Sequence, residues 1–103
     1  MKFGLKETDI KILLDHINAH LGKTKNPKIY IYGSRVKGNF RPYSDIDLLL
    51  VAESYDEAAL GKINFEDLDI PYKVDFTTEE KLFKGYKKEV LSHIKKFSVG
   101  ELN

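Results

Sequence analysis

The sequence predicts an α+β domain, a mixed α/β arrangement in which helices pack against a small mixed β-sheet. Two observations support this fold class. Apolar residues at helical spacing lie near both ends of the chain, and short β-rich runs lie between them. The length of 103 residues is that of one domain. We therefore expect residues 1–103 to form a single domain.

The first helix is predicted over residues 8–21. Thr8 is a suitable N-cap residue, and Gly22 ends the helical pattern. The apolar face of this helix comprises Ile10, Leu13, Leu14, Ile17 and Leu21. A basic loop follows, and a short β-rich strand is predicted over residues 28–32. This strand leads directly into the pair Gly33-Ser34.

The second strand is predicted over residues 45–52, because its apolar run is typical of a central strand covered on both faces. A weaker acidic helix is expected over 55–68 and a third strand over 70–76. A capping box from Thr77 to Glu80 then predicts the start of the last helix. Its apolar face would carry Leu82, Phe83, Tyr86, Val90, Leu91, Ile94 and Phe97. No long crossover separates the first two strands, so we expect them to be antiparallel in a mixed sheet of three strands or slightly more.

Charges of one sign are clustered in separate segments of the chain. The net charge is +1, yet residues 34–44 carry only basic charges and residues 53–69 are strongly acidic. A chain of this balance is not a general nucleic-acid-binding protein, so direct binding of nucleic acid is not expected. There is no cysteine, which excludes disulfides and thiolate metal sites and fits a reducing cytoplasm. The N-terminus lacks an apolar signal core, and no apolar run approaches the roughly 20 residues of a membrane span.

Two aspartates open the second strand in the pattern Asp45-x-Asp47. Side chains two positions apart on a strand lie on the same face, so both carboxylates should project together. Carboxylates held close together repel, and the pKa of one should rise unless a cation neutralises them. Hard oxygen ligands of this kind suit Mg²⁺ or Mn²⁺. The alternative interpretation is an Asx pair that ends a turn at the start of a strand.

Asp75 is a third candidate metal ligand because it lies in an otherwise apolar strand. An acid in such a strand costs free energy unless it is paired or bound to a metal. If the third strand lies beside the second, Asp75 can complete a cluster of three carboxylates. Such a cluster could hold two metals about 3.5–4 Å apart. The alternative is an acid that faces the sheet edge or is satisfied locally.

The phosphate side of the predicted site begins at Gly33 and Ser34. Gly33 allows close approach to the backbone, and N–H groups at the start of a helical turn can point at phosphate. Arg35, Lys37 and Arg41 could neutralise a triphosphate or contact an anionic partner. Alternatively, Gly33-Ser34 is a plain turn after a strand and the basic residues are solvated surface charges. The histidines offer no complete metal site and are interpreted as surface or structural residues, namely His16, His20 and His93.

Three motifs together resemble those of the DNA-polymerase-β-like nucleotidyltransferase superfamily. They are Ile-Tyr-Gly33-Ser34-Arg35-Val-Lys-Gly38, then Ser44-Asp45-Ile-Asp47, then Val-Asp75-Phe. More narrowly, the chain is similar to the minimal nucleotidyltransferases of bacteria and archaea. These are often encoded beside a HEPN-domain protein, and some act as the antitoxin of a toxin–antitoxin pair. The joint pattern is specific, whereas the Gly-Ser pair alone would not be.

The resemblance implies a nucleotidyltransferase fold and a role for each motif. Gly33 and Ser34 would bind the nucleotide phosphates, assisted by Arg35 and Lys37. The catalytic and metal-binding carboxylates would be Asp45, Asp47 and Asp75. The implied reaction transfers a nucleoside monophosphate, with AMP expected first, from ATP or another NTP with Mg²⁺ or Mn²⁺. In the antitoxin branch the acceptor is a tyrosine hydroxyl of the partner toxin.

Larger members of the superfamily add a domain that binds the base or the acceptor. The present chain ends soon after its last predicted helix, so we expect a HEPN-domain partner or a homodimer to supply the remaining walls of the site. A binding module that neutralises or scaffolds its partner without catalysis is the alternative function. Transfer to a small molecule is a third, weaker interpretation.

Overall fold

The computed structural model describes residues 2–82 and 84–99. The elements, in chain order, are α1 Glu7–Asn18, β1 Lys28–Tyr32, α2 Ser34–Lys37, β2 Ile46–Val51, α3 Glu57–Gly61, β3 Val74–Thr78, a 3₁₀ turn Glu79–Lys81, α4 Lys84–Leu91 and β4 Lys95–Lys96. The fold is α+β, as the sequence predicted. No helix in these described residues has both the length and the apolar character needed to cross a lipid bilayer.

The sheet has four strands in the order β3-β2-β1-β4. The predicted antiparallel pairing of β1 with β2 is confirmed, with Ile31 opposite Leu48. Strand β3 runs parallel to β2 on its other side, and β4 pairs antiparallel with β1. The sheet is therefore mixed, and β2 is a central strand. Its residues Leu48, Leu49 and Leu50 are at most 1% exposed, which confirms the prediction of a strand covered on both faces.

The core forms between the sheet and α1. Its buried residues are Leu5, Ile10, Leu13, Ile17, Leu21, Ile29, Ile31, Ile46, Leu48, Leu50 and Phe97. Helix α1 begins one residue earlier than predicted, after Lys6, and no side chain caps it. The predicted N-cap at Thr8 is therefore wrong. The helix ends at Asn18. In the turn that follows, the amide of Leu21 donates to the carbonyl of Asn18, three residues back, and Leu21 is buried.

The middle of the chain has less regular structure than predicted. Helix α3 spans only Glu57–Gly61, with its N-terminus capped by the Asp56 side chain. The predicted capping box at Thr77 is wrong, since Thr77 and Thr78 continue β3 and pair with residues of β2. Sheet pairing satisfies these backbone groups, so the helix starts later, at Lys84.

The last predicted helix is shorter than its apolar pattern. Helix α4 ends at Leu91, and the Ser92 hydroxyl donates to the Glu89 carbonyl at 2.7 Å. Phe97 lies beyond β4, where its amide donates to the Ile29 carbonyl at 3.0 Å. The predicted positions of Ile94 and Phe97 on the helix are therefore wrong. Phe83 and the Tyr86 side chain lie outside the described residues.

Candidate active site

A turn after β1 places the backbone of Gly33 against a carboxylate. Gly33 has φ +80°, and a Cβ at this position would lie 2.5 Å from Oδ2 of Asp47. Helix α2 begins directly afterwards, with the amides of Val36 and Lys37 both 3.1 Å from the Gly33 carbonyl. Gly38 ends this single turn in the left-handed conformation, at φ +86°. The two glycines thus allow a tight turn to approach the β2 carboxylate closely.

Asp47 and Asp75 are register partners on the parallel strands β2 and β3. Neighbouring strands are about 4.8 Å apart, and residues directly opposite each other present their side chains on one face. Asp47 is also opposite Tyr32 of β1. The structure therefore brings Asp75 beside Asp47, which is the arrangement that the sequence predicted if the third strand lay beside the second.

The electrostatics of Asp47 reflect this crowding. Burial raises the pKa of the Asp47 carboxyl above its usual value, and the negative charges of Asp75 and Asp45 raise it further. Asp45 precedes β2 and is exposed, as is Asp75. The predicted repulsion between neighbouring acids is thus present at Asp47, which is the most buried of the three.

The donor set suits a hard divalent cation, because a cation would relieve the repulsion felt by Asp47. Within residues 2–82 and 84–99, however, no three acidic or histidine side chains are already gathered closely enough to form a complete ligand set. The charges of Asp45 and Asp75 act on Asp47, but the three side chains do not form a closed set of metal ligands. Metal ligation by these three residues stays a prediction.

A cleft of about 350 Å³ opens beside these groups. Its lining residues are Tyr32, Gly33, Lys37, Asp47, Asp75, Glu89, Val90 and His93. Four predicted site residues thus meet at one cleft, while Ser34, Arg35 and Asp45 are not among the described residues that line it. Ser34 begins α2 and Asp45 is charge-coupled to Asp47, so both border the site.

The far wall of the cleft comes from α4 and the turn that follows it. Sequence reasoning missed Glu89 and interpreted His93 as a surface or structural residue. The Ser92 hydroxyl lies 2.8 Å from the His93 ring nitrogen Nδ1, which orients the ring. Glu89 lies in the last turn of α4 and His93 in the turn that follows, four residues further along the chain. The four-residue spacing of Glu89 and His93 was the sequence signal for this wall of the cleft, but the same spacing is common on solvent-exposed helix faces.

Arg35 corrects one expectation. Its side chain is only 2% exposed and its guanidinium donates to backbone carbonyls of Phe3, Pro42 and Ser44. It is therefore engaged within the protein and does not reach the cleft as a nucleotide-binding residue. Lys37, in contrast, does line the cleft, and its contact with phosphate stays a prediction.

Comparison with known proteins agrees with the geometry. The profile of the family described as "Nucleotidyltransferase domain" matches residues 11–97. The probable protein adenylyltransferase MntA of Haemophilus influenzae is 38% identical over 50 residues, which are 46% of this chain and 44% of that protein. The matched region thus spans less than half the length of this curated relative.

Two solved structures share the fold. A crystal structure of a toxin–antitoxin with AMP-PNP aligns with a TM-score of 0.65 at 18% identity, over 90% of this chain and 75% of the other. A candidate nucleotidyltransferase from Sulfolobus solfataricus aligns with a TM-score of 0.50 at 17% identity, over 94% of this chain and 87% of the other. At such low identity these likenesses show the fold alone.

Proposed function

The chain belongs to the nucleotidyltransferase domain family, and from that premise we propose that it transfers a nucleoside monophosphate, with AMP the first choice, from an NTP to a hydroxyl of a partner protein. The observation that carries this proposal is the meeting of Gly33, Asp47 and Asp75 at one cleft. A turn open to phosphate beside paired carboxylates is what nucleotidyl transfer requires.

In the proposed reaction the acceptor hydroxyl oxygen attacks the α-phosphorus of the NTP. A new oxygen–phosphorus bond forms, the bond from the α-phosphorus to the β-phosphate oxygen breaks, and pyrophosphate leaves. The hydroxyl proton passes to a base, and Asp75, an exposed carboxylate at the cleft, is the group we assign to accept it. The amides of Val36 and Lys37 donate to the Gly33 carbonyl, so the amides of Ser34 and Arg35 are the N–H groups of α2 that could face phosphate oxygens.

Asp45, Asp47 and Asp75 would hold the divalent metal, Mg²⁺ or Mn²⁺. When bound, the metal supplies positive charge that stabilises the phosphates as negative charge develops. Lys37 at the cleft adds a second positive charge toward the phosphates. Gly33 leaves the space beside Asp47 free of a side chain, so the turn can approach the nucleotide closely.

The proposed acceptor is a HEPN-domain toxin, with this chain as its antitoxin. Two comparisons support the proposal: the MntA relative is named a protein adenylyltransferase, and a structure of a toxin–antitoxin shares the fold. The polymerase-β-like motifs support the donor half of the reaction and do not specify the acceptor. A homodimer is the other arrangement that would supply additional walls to the cleft.

The test incubates labelled ATP and Mg²⁺ with the protein and a candidate HEPN partner. Label should pass to the partner in a metal-dependent way. Asp47→Asn should lower the rate on the order of a thousandfold, because several kcal/mol of transition-state stabilisation is lost. Asp67→Asn is the matched control, since Asp67 is an exposed acid outside the cleft. Equal labelling by the Asp47 variant would refute the proposal.

The alternative function is a binding module that neutralises its partner by covering it. A double variant, Asp45→Asn with Asp47→Asn, distinguishes the two functions. If the double variant still binds the toxin and inhibits it fully, occlusion is the function. If it binds but no longer inhibits, the transfer reaction is the function.

A further inference from the structure

Arg35 is the one charged residue among those of the described chain that are buried, with only 2% of its surface exposed. The mechanism above does not use it. Burying a guanidinium is costly unless its donors are satisfied. In the described part of the chain no carboxylate forms a salt bridge with it. The guanidinium must therefore be satisfied by groups other than carboxylates, and those groups indicate the role of Arg35.

The guanidinium donates four hydrogen bonds to three backbone carbonyls. Nη1 donates to Phe3 at 2.9 Å, and Nη2 donates to Pro42 at 3.2 Å. The carbonyl of Ser44 accepts two bonds, from Nη2 at 2.8 Å and from Nε at 3.3 Å. The planar fork of arginine is suited to such convergent contacts, and a lysine ammonium is not.

Two aromatic rings complete the environment of the guanidinium. Its central carbon lies 5.0 Å from the ring centroid of Phe40 and 4.9 Å from that of Tyr72. Both distances are within the range of cation–π contacts. Arg35 thus joins the N-terminal segment, the loop between α2 and β2, and the segment before β3.

The contact with Ser44 matters most, because Ser44 directly precedes Asp45. The peptide group before Asp45 is held by Arg35, and the next amide, that of Ile46, donates to the Lys73 carbonyl at 2.9 Å. Asp45 is itself exposed. Its position therefore depends on these two anchored peptide groups on either side.

We propose that Arg35 is a positioning residue that fixes Asp45 relative to the Gly33 turn. Arg35 follows Gly33 by two residues, and its side chain reaches forward nine residues to Ser44. It therefore ties the phosphate turn to the start of the carboxylate motif. The ten-residue spacer between Ser34 and Asp45 is the loop that this side chain closes. The inference that this serves metal and nucleotide binding rests on the proposed function above.

The first measurement is hydrogen exchange of the metal-free protein. Arg35→Lys keeps the charge but replaces the fork with one ammonium group. We expect amides of residues 40–46 to exchange roughly tenfold faster, because the loop opens more readily. Arg41→Lys, the same change at an exposed arginine of the same loop, should leave their exchange near that of the wild type. Unchanged exchange in Arg35→Lys would overturn the proposal.

The second measurement is binding of a non-hydrolysable ATP analogue, with Mg²⁺ and with EDTA. Arg35→Lys should weaken the Mg²⁺-dependent binding roughly tenfold and leave binding in EDTA nearly unchanged. In an Asp45→Asn background, the same Arg35 change should add little, since residues that act through one another are not additive. A merely structural role predicts equal losses in both backgrounds, and that result would refute the inference.

The inference stays testable if Arg35→Lys does not fold or if the proposed function fails. If Arg35→Lys does not fold, Phe40→Leu removes one ring against the guanidinium and should accelerate exchange of residues 40–46 in the same direction. If the wild-type protein binds no nucleotide, the proposed function fails. The exchange of residues 40–46 then decides alone whether Arg35 holds the loop.

Discussion

At the scale of the residue, Gly33 and Asp47 show how the site is made. A Cβ on Gly33 would lie 2.5 Å from the Asp47 carboxylate, so the absence of a side chain is what allows the two to meet. The sequence indicated both residues, because a Gly-Ser pair and an Asp-x-Asp pair are local patterns. It could not indicate that they touch, because that contact depends on the pairing of β1 with β2.

The glycines allow a graded test of this contact. Gly33→Ala should cost about 1–3 kcal/mol of unfolding free energy, since it strains a left-handed backbone, and should also displace Asp47 and abolish Mg²⁺-dependent nucleotide binding. Gly38→Ala has a similar φ but open space around it, so it should cost stability while keeping more of the binding. Urea denaturation and analogue binding measure the two effects.

Gly61 is the control for that series, since it lies at the end of α3, has no positive φ, and would place an added Cβ more than 4 Å from its surroundings. Gly61→Ala should be neutral or stabilise the protein by up to about 1 kcal/mol. Equal binding by the Gly33 and Gly61 variants would contradict the role given to the Gly33 contact.

The raised pKa of Asp47 predicts a pH dependence of stability without metal. A raised pKa means that the native protein holds this proton more tightly than the unfolded chain. The contribution of Asp47 to wild-type stability should thus fall as pH rises from the ordinary pKa of 3.8 through the raised folded pKa. Asp47→Asn should be more stable than wild type at pH 7, and the difference should vanish below pH 3.8. Urea melts in EDTA measure it.

Asp67→Asn is the matched control in the same melts, because Asp67 is an exposed acid that does not line the cleft. A constant difference between Asp47→Asn and wild type across this pH range would instead mean that the side-chain change acts through packing.

Arg35 is a residue whose role the sequence did not indicate. Its charge suggested phosphate, yet its partners Phe3 and Tyr72 are distant in the chain.

At the scale of the element, the end of the chain was the least predictable part. Val90, Leu91, Ile94 and Phe97 follow helical spacing, so the pattern indicated one long helix. Strand β4 has only two residues, Lys95–Lys96, too few for a periodic pattern. Pairing with β1 outweighed local preference, just as pairing with β2 outweighed the capping box at Thr77. The long β1 and β2 patterns were predicted well because burial dictates them.

Phe97 should be a main support of this end of the sheet. It is 3% exposed and belongs to the core cluster, although it lies outside regular structure. Phe97→Ala should lower the unfolding free energy by about 3–5 kcal/mol, measured by urea denaturation. Val99→Ala is the control, because Val99 is 45% exposed, and its change should stay within about 0.5 kcal/mol. Similar losses for both would contradict the structure.

At the scale of the whole molecule, the candidate site joins distant parts of the chain. Gly33 follows β1, Asp47 lies on β2, Asp75 lies on β3 and His93 follows α4. The sequence indicated the first three because each belongs to a motif, and the mixed sheet brings them together. It did not place His93, since nothing local distinguishes a cleft-lining histidine from a solvated one.

Ligand binding to this site should stabilise the whole fold. A ligand present at about 100 times its Kd adds about 2.7 kcal/mol to the unfolding free energy. A non-hydrolysable ATP analogue with Mg²⁺ should therefore raise the melting temperature of the wild type, and EDTA should reverse much of the gain. Asp47→Asn should lose the metal-dependent part, while Asp67→Asn should retain it. The absence of any shift in wild type would contradict nucleotide binding.

Within residues 2–82 and 84–99, strand β3 is a terminal strand of the sheet and pairs with β2 alone. A terminal strand presents unpaired backbone groups that can recruit a second chain into an aggregate, and charges on the strand oppose this. The carboxylate of Asp75 is exposed on β3, next to Val74 and Phe76. By this principle, the charge of Asp75 should oppose self-association through β3. The Asp75→Asn variant should be checked for self-association by light scattering before any loss of activity is attributed to chemistry.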